Sequence, residues 1–496
     1  MNKHTTIAKV TSEIFSLVGP KHPEFLKDEV LADIFRATVA RVPNATAIIS
    51  GERRLSYLEV DRLSDRIAAP LIRRGAGPGK VVGLYFTRGV NLLLSQIAVT
   101  KTGATWLPFD SETPKDRMAT CLADCGAIGL LVDEDVEERV AGFAHPVWSM
   151  SDAEFNQPLD KALPAPKKRS PDAHAYLIYT SGTTGTPKGI AITHRNICHY
   201  LRASNSIFCI TAKDVMFQGC SAAFDLSMEE IWVPYLAGAA LWVVTPEIMA
   251  DTENLPRRMR DAGVTVIDTV PTLLSMFAED VDSLRLMIVG GEACPPSLIE
   301  RFSKKGRRIF NSYGPTETTV VATIAELTKG DLVTIGKPIP NYTAYVVNDN
   351  LQPVATGQQG ELLIGGPGVA DGYVGRADLT AQKFITNPFH KKSTDKILYR
   401  SGDAVSIDDS GNILFHGRVD DQVKIRGFRV ELGEIETAVG EDAAIEHAAV
   451  VLRKDHGLER LVAFIVPRKD RSRIFTPCAK HCASACRLTW CPLLSR

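Results

Sequence analysis

The sequence has no apolar run long enough to cross a bilayer, almost no net charge, and neither of the two familiar glycine signatures for nucleotide phosphates. Its most apolar stretch, Tyr235 to Val244, lies between Pro234 and Pro246. It is about half the ~20 residues a spanning helix needs, so it reads as buried core. The N-terminal MNKHTTIAKVTSEIFSLVGP offers only Ile14 to Val18 as an apolar stretch, too short for a secretory signal. The 57 Lys and Arg residues stand against 58 Asp and Glu, a net charge of −1. That balance gives no global field for nucleic acid or an anionic membrane, so any charge recognition has to be local, and a cytoplasmic protein without nucleic-acid or membrane partners is expected. The Gly-Lys pairs Gly79-Lys80 and Gly336-Lys337 are followed by Val and Pro instead of the Ser or Thr of a Walker loop, and no G-x-G-x-x-G opens a helix after a strand. Six cysteines, Cys121, Cys125, Cys198, Cys209, Cys220 and Cys294, are scattered through a chain large enough to need no disulfide staples.

What is present describes an ordinary globular chain. Its 496 residues allow two to four folding units at about 150 residues each, with 45% apolar and 23% charged residues. Asp28 to Arg41 and Ser56 to Arg74 repeat apolar residues at helical spacing. Lys80 to Phe86, Ile128 to Val132, Ala175 to Tyr179, Ala239 to Val244, Val264 to Thr269 and Leu284 to Val289 are short apolar runs bounded by turn residues. This alternation predicts an α/β fold of layered sheets with helices. From about residue 334 shorter strands with glycine turns predict a smaller β-rich part, and the Pro-rich, basic Leu163 to Pro171 predicts a surface loop.

The densest chemical signal is Tyr179-Thr-Ser-Gly-Thr-Thr-Gly-Thr-Pro-Lys-Gly189, directly after a strand-like run. Glycines, hydroxyls and one lysine packed this closely can surround phosphate oxygens with amides, hydroxyls and an ammonium. The competing view is a plain Ser/Gly/Thr turn.

This loop resembles the nucleotide-binding signature of the adenylate-forming superfamily, which includes the adenylation domains of nonribosomal peptide synthetases, acyl-CoA ligases and luciferases. Further segments resemble the family in the same order: Leu55 to Glu59, Lys101 to Asp110, Phe224 to Ser227, Asn311 to Thr318, Gly360 to Ile364, Gly372-Tyr373, Tyr399 to Asp403 and Gly417 to Glu436. The resemblance spans residues 28 to 467. It implies an N-terminal extension (1–27), an adenylation core (28–417), a partial hinged α+β subdomain (418–469), and a Cys-rich tail (470–496) that does not fold with the core.

The implied chemistry is attack of a carboxylate on the α-phosphate of ATP with Mg²⁺ present, then capture of the acyl adenylate by a carrier-protein thiol. Such a protein mainly positions anions and neutralises charge. By the resemblance, Thr180, Ser181, Gly182, Thr183, Thr184, Gly185 and Lys188 would hold the leaving pyrophosphate. Asn311, Tyr313 and Gly314 would flank adenine, Thr316 would approach the α-phosphate, and Glu317 would bind Mg²⁺. Asp403 would take the ribose hydroxyls, Arg418 the ribose-phosphate side, and Asp420 would be the hinge. Asp225 would pair an α-ammonium, which favours an amino acid over a fatty or aryl acid. The side-chain pocket would comprise Leu226, Glu229, Asp268, Ile288, Gly290, Ser312, Val320 and Val321.

Two acids in an otherwise apolar pocket are costly unless a cation enters. A basic amino acid, lysine or another diamino acid, is therefore expected, and the pocket segments look particularly like those of ε-poly-lysine synthetases. Ser227-x-x-Glu230 reads as a capping box, which assigns Glu230 to structure. No Gly-Gly-x-Ser carrier-attachment motif occurs, so the carrier is expected in trans. The family's closing Gly-Lys motif is also not found, and Cys478, Cys482, Cys486 and Cys491 stand in its place without a C-x-x-C pair. The alternatives are an acyl-CoA or aryl-acid ligase, and an impaired homologue that only binds nucleotide.

Overall fold

The computed structural model describes residues 16–159, 163, 170–181, 187–389, 395–420, 422–425, 428–440, 442, 445–455, 458–468 and 493–495. Two mixed sheets form its larger part. One has nine strands in the order Lys337–Pro338, Thr323–Leu327, Arg308–Tyr313, Leu286–Gly290, Val266–Thr269, Val215–Gln218, Ala240–Val243, Thr46–Ser50 and Arg53–Ser56. The strands from Arg308–Tyr313 through Thr46–Ser50 run parallel. Buried on both faces, such strands are continuous apolar runs, and Asp268 is the exception within its run. The other sheet, of six strands, orders Val147–Ser149, Gly129–Val132, Val81–Phe86, Thr105–Asp110, His174–Thr180 and Lys188–Thr193.

The helix Leu226–Ala237 lies between these sheets. It packs on the strands Val215–Gln218, Ala240–Val243 and Val266–Thr269 of the first, while its Trp232 stacks on Trp106 of the second, which in turn stacks on Tyr176. It is buried on every side and mostly apolar, and its ten residues Leu226 to Tyr235 are buried, Glu229 and Glu230 among them. Gly238 closes it in the left-handed conformation with φ 86°. The Tyr57 hydroxyl donates to the Ala239 carbonyl at 2.6 Å, close to the Pro234 carbonyl as well, and fixes that end.

A third, antiparallel sheet holds the β-rich part expected from about residue 334: Thr343–Val347, Gly360–Gly365, Phe384–Thr386, Ile397–Ile407 and Ile413–Arg418. Ser16–Val18 also joins it, pairing with Thr343–Val347, so the expected N-terminal extension is partly built into this sheet. After residue 418 come the hairpin Gln422–Ile425 and Phe428–Glu431, the helix Leu432–Gly440, and the paired strands Ile445–Asp455 and Leu458–Pro467. They enclose a separate small core around Val430, Ile435, Val439, Ile445 and Leu461. Leu493–Ser495 pairs in parallel with Leu458–Pro467 of this small part. Cys478, Cys482, Cys486 and Cys491 lie outside the described residues. Among the described residues no helix is long and apolar enough to cross a membrane, and the six described cysteines are free.

Candidate functional site

Strand ends and the Leu226–Ala237 helix converge on a cleft of about 610 Å³ whose walls include Asp225, Leu226, Ser312, Tyr313, Gly314, Thr316, Val320, Val321, Asp403 and Arg418. Two glycines keep it open. A Cβ on Gly290 would sit 2.3 Å from the Ser312 hydroxyl, and one on Gly314 would meet the Val320 carbonyl at 2.4 Å. The far wall is bent by Thr319 and Val320, with φ 62° and 66°, a conformation that is rare for β-branched residues.

One side of the cleft carries a chain of charged groups. The Tyr313 hydroxyl donates to one oxygen of Asp403. Arg418 donates to the other at 2.9 Å and grips Asp420 through two bonds of 2.6 and 2.7 Å. The pairing of strands Ile397–Ile407 and Ile413–Arg418 sets this up, since Asp403 and Arg418 are register partners. Burial and the neighbouring Asp403 carboxylate push the Tyr313 phenol well up, so it remains a donor. Asn311, expected beside adenine, gives its amide to the Thr334 carbonyl at 2.7 Å and is not part of the cleft wall.

The phosphate-loop lysine is placed by a hairpin. Lys188 begins the strand Lys188–Thr193 and is the register partner of Thr180. Its ammonium lies 3.6 Å from Glu431 and 5.5 Å from the centre of the Tyr373 ring. Thr180 keeps a buried hydroxyl without a hydrogen-bond partner among the described residues, and the Ser181 hydroxyl accepts from the Glu431 amide at 3.1 Å. Gly182, Thr183, Thr184 and Gly185 lie outside the described residues. Glu317 is fully buried on the 3₁₀ turn Thr316–Thr318 and accepts from the Tyr373 hydroxyl at 2.7 Å. One buried carboxylate beside a phosphate cleft fits Mg²⁺, which usually takes one or two carboxylates and fills its shell with phosphate oxygens and water.

The substrate end divides into two levels. Asp225, 5% exposed, occupies the N-cap of the Leu226–Ala237 helix yet makes no side-chain cap there. It faces the cleft. Deeper, Glu229 in the first helical turn and Asp268 in the centre of the nine-stranded sheet are fully buried and hydrogen-bond to each other, and none of their four carboxyl oxygens has another partner among the described residues. Burial pushes the Glu229 carboxyl up to about 8. Burial and the facing acids Glu229 and Glu230 push Asp268 well up. Ile288 is its register neighbour in the next strand, and Gly290 ends that strand.

Glu230 is structural, as expected, but not through a capping box. The Ser227 hydroxyl donates backward to the Phe224 carbonyl, and the helix starts at Leu226, two residues before the start that a Ser227 cap implies. Glu230 instead turns inward, fully buried, and accepts from the Gly219 and Cys220 amides at 2.9 to 3.2 Å. Arg88, bonded to the Gly219 and Val244 carbonyls, holds the same loop. Sequence reasoning gave no site role to Tyr373, Glu431 or Arg88. Tyr373 and Glu431 stood inside quoted motifs, whereas Arg88 carried no local signal.

The model of the AMP-binding enzyme family matches residues 35–374. Delta-poly-L-ornithine synthetase of Acinetobacter baumannii is 48% identical over 91% of this chain, which spans only 34% of that protein. Novobiocin biosynthesis protein H of Streptomyces niveus is 38% identical over 88% of this chain and 74% of its own length. Among solved structures, an artificially fused adenylation–PCP di-domain of a nonribosomal peptide synthetase, NpsA-ThdA from Klebsiella oxytoca, superposes with a TM-score of 0.85 at 28% identity, covering 95% of this chain and 94% of that one. Family match, relatives and superposition agree with the cleft built above: the chain belongs to the AMP-binding enzymes, the adenylate-forming ligases that include the adenylation domains of nonribosomal synthetases.

Proposed function

We propose that this chain activates an amino acid with a cationic side chain as its aminoacyl adenylate, for transfer to a carrier-protein thiol supplied by another domain or protein. The observation that carries the basic substrate is the Glu229–Asp268 pair, two buried acids that meet each other one helical turn beyond Asp225 with no described cation or other donor on either. A cation seated there satisfies groups that are otherwise costly to bury. Asp225 takes the α-ammonium, which leaves the substrate carboxylate directed toward Thr316 and the α-phosphorus. One carboxylate oxygen bonds to that phosphorus as the bond to the bridging oxygen breaks, and pyrophosphate leaves. Lys188 and the Thr180 and Ser181 hydroxyls steady the departing charge, Asp403 holds the ribose, and Tyr313 lies against adenine. Glu317 would contribute the protein ligand of Mg²⁺, which screens the phosphates. The name of the 48% identical relative, a poly-ornithine synthetase, is in keeping with a diamino acid. An acyl-CoA or aryl-acid ligase would leave Asp225 without a counter-charge.

The test is amino-acid-dependent exchange of labelled pyrophosphate into ATP with lysine, ornithine, arginine, leucine and phenylalanine. An apolar side chain would leave two buried carboxyls without a substrate partner, at ~1–3 kcal/mol each, so a basic amino acid should exceed leucine by about a hundredfold. Glu229→Gln and Asp268→Asn should raise its KM and leave that for ATP within about twofold, whereas Asp403→Ala should do the reverse. Equal rates with lysine and leucine would refute the proposal.

A further inference from the structure

The acid pair holds two carboxyls, but an ammonium side chain brings one positive charge. With both carboxyls ionised, the occupied pocket would keep a net negative charge inside the nine-stranded sheet, where Asp268 has Ile288 as its register neighbour. No described cation bonds to either acid. The titratable groups facing them add no positive charge either: Glu230 on the same helix acts on both, and Cys220 from the loop after Val215–Gln218 faces Asp268. Arg88, which acts on Glu230 and Cys220, is engaged with two backbone carbonyls. The empty pair is therefore stable only when protonated, and Glu229 keeps its proton up to about pH 8.

We propose that the pair receives the side-chain cation as a set of two carboxyls with one retained proton, so that each basic substrate entering the empty pocket expels one proton to solvent. This rests on the basic-substrate reading above and deepens it. One carboxylic acid becomes carboxylate and its proton goes to the buffer. The ammonium neutralises that carboxylate, and the second carboxyl stays protonated and donates to the first. The retained proton also defines the competitors. A pocket that keeps an O–H donor accepts a neutral side-chain carbonyl better than an alkyl group, so glutamine should outrank isosteric apolar amino acids as a poor substrate, increasingly so at lower pH.

The experiment is calorimetric titration of the full chain at pH 7 with the non-hydrolysable sulfamoyl adenylates of lysine and norleucine, in phosphate and in Tris, whose ionisation enthalpies differ. The two analogues share the adenylate and the α-ammonium, so their difference reports the pocket alone. About one more proton should be released per lysyl than per norleucyl analogue, and the double change Glu229→Gln with Asp268→Asn should abolish the difference, because neither side chain then has a proton to give up. Tighter lysyl binding with no extra proton would overturn the inference and leave the basic-substrate reading intact. Equal affinity for the two analogues would sink the reading itself. An extra proton that persists in the double variant would assign the release to another group and overturn the inference.

Discussion

Glu229 shows how a single carboxyl couples substrate choice to stability. Its carboxyl titrates near 8 in the folded protein, against the usual 4.5. Below about pH 4.5 folded and unfolded chains both hold the proton. Between there and about 8 the unfolded chain has released it and the folded one has not, so the folded state binds more protons and stability falls as pH rises across that window. Glu229→Gln removes this dependence. Thermal midpoints of the empty protein should therefore decline less from pH 5 to pH 8 in Glu229→Gln than in the parent, and the variant should be the more stable of the two at pH 8. Parallel curves would mean that the proton is held elsewhere. The same substitution is expected to impair use of a basic amino acid, the usual exchange of function for stability at a site that buries ionisable groups for a ligand.

At the level of elements, the helix that carries Asp225 and Glu229 is aimed by contacts remote in sequence. Tyr57 is fully buried, and its hydroxyl closes on the Ala239 carbonyl. Tyr57→Phe removes that donor at a buried site, at a cost of ~1–3 kcal/mol, so the thermal midpoint should drop while the residual folded enzyme keeps its KM for ATP. An unchanged midpoint would show the clamp to be dispensable. How much of this was legible in the sequence depended on the range of the forces. The strand Val81–Phe86 and the helices Leu31–Arg41 and Tyr57–Arg73 fall within a few residues of the segments that periodicity marked out, because burial repeats along each of them. The acids Asp225, Glu229 and Asp268 were legible as residues through resemblance. That Glu229 and Asp268 meet each other in the buried interior was not, since it depends on a helix and a strand some forty residues apart meeting between two sheets. The Ser227-x-x-Glu230 pattern misled because a capping box is a local preference, and here two inward amides compete successfully for the same carboxylate. Lys188 was expected to hold phosphate from its loop motif alone, but its place at the start of a strand follows from hairpin register with Thr180, and its neighbour Glu431 lies more than two hundred residues away.

For the whole molecule, the small C-terminal part is held against the core by charge. Arg117 of the helix Lys115–Asp124 pairs with Glu434 of the helix Leu432–Gly440 at 2.5 Å, both buried, and Lys188 faces Glu431 nearby. Removing one partner of a buried pair costs ~3–5 kcal/mol, so Arg117→Met should loosen this docking and speed protease cleavage near residue 420 by more than tenfold. The exchanged pair Arg117→Glu with Glu434→Arg should restore much of the protection, and equal cleavage of all three proteins would show that the ion pair does not hold the parts together. The nine-stranded sheet imposes a different constraint, on the order in which the chain can be built. Thr46–Ser50 lies beside Ala240–Val243, with Ile48 opposite Leu241, so an early strand waits for a neighbour roughly 190 residues behind it on the ribosome. At about 5–20 residues per second of synthesis, its apolar edge stays unpaired for about 10–40 s, which makes the nascent first third of this protein a natural client for holding chaperones.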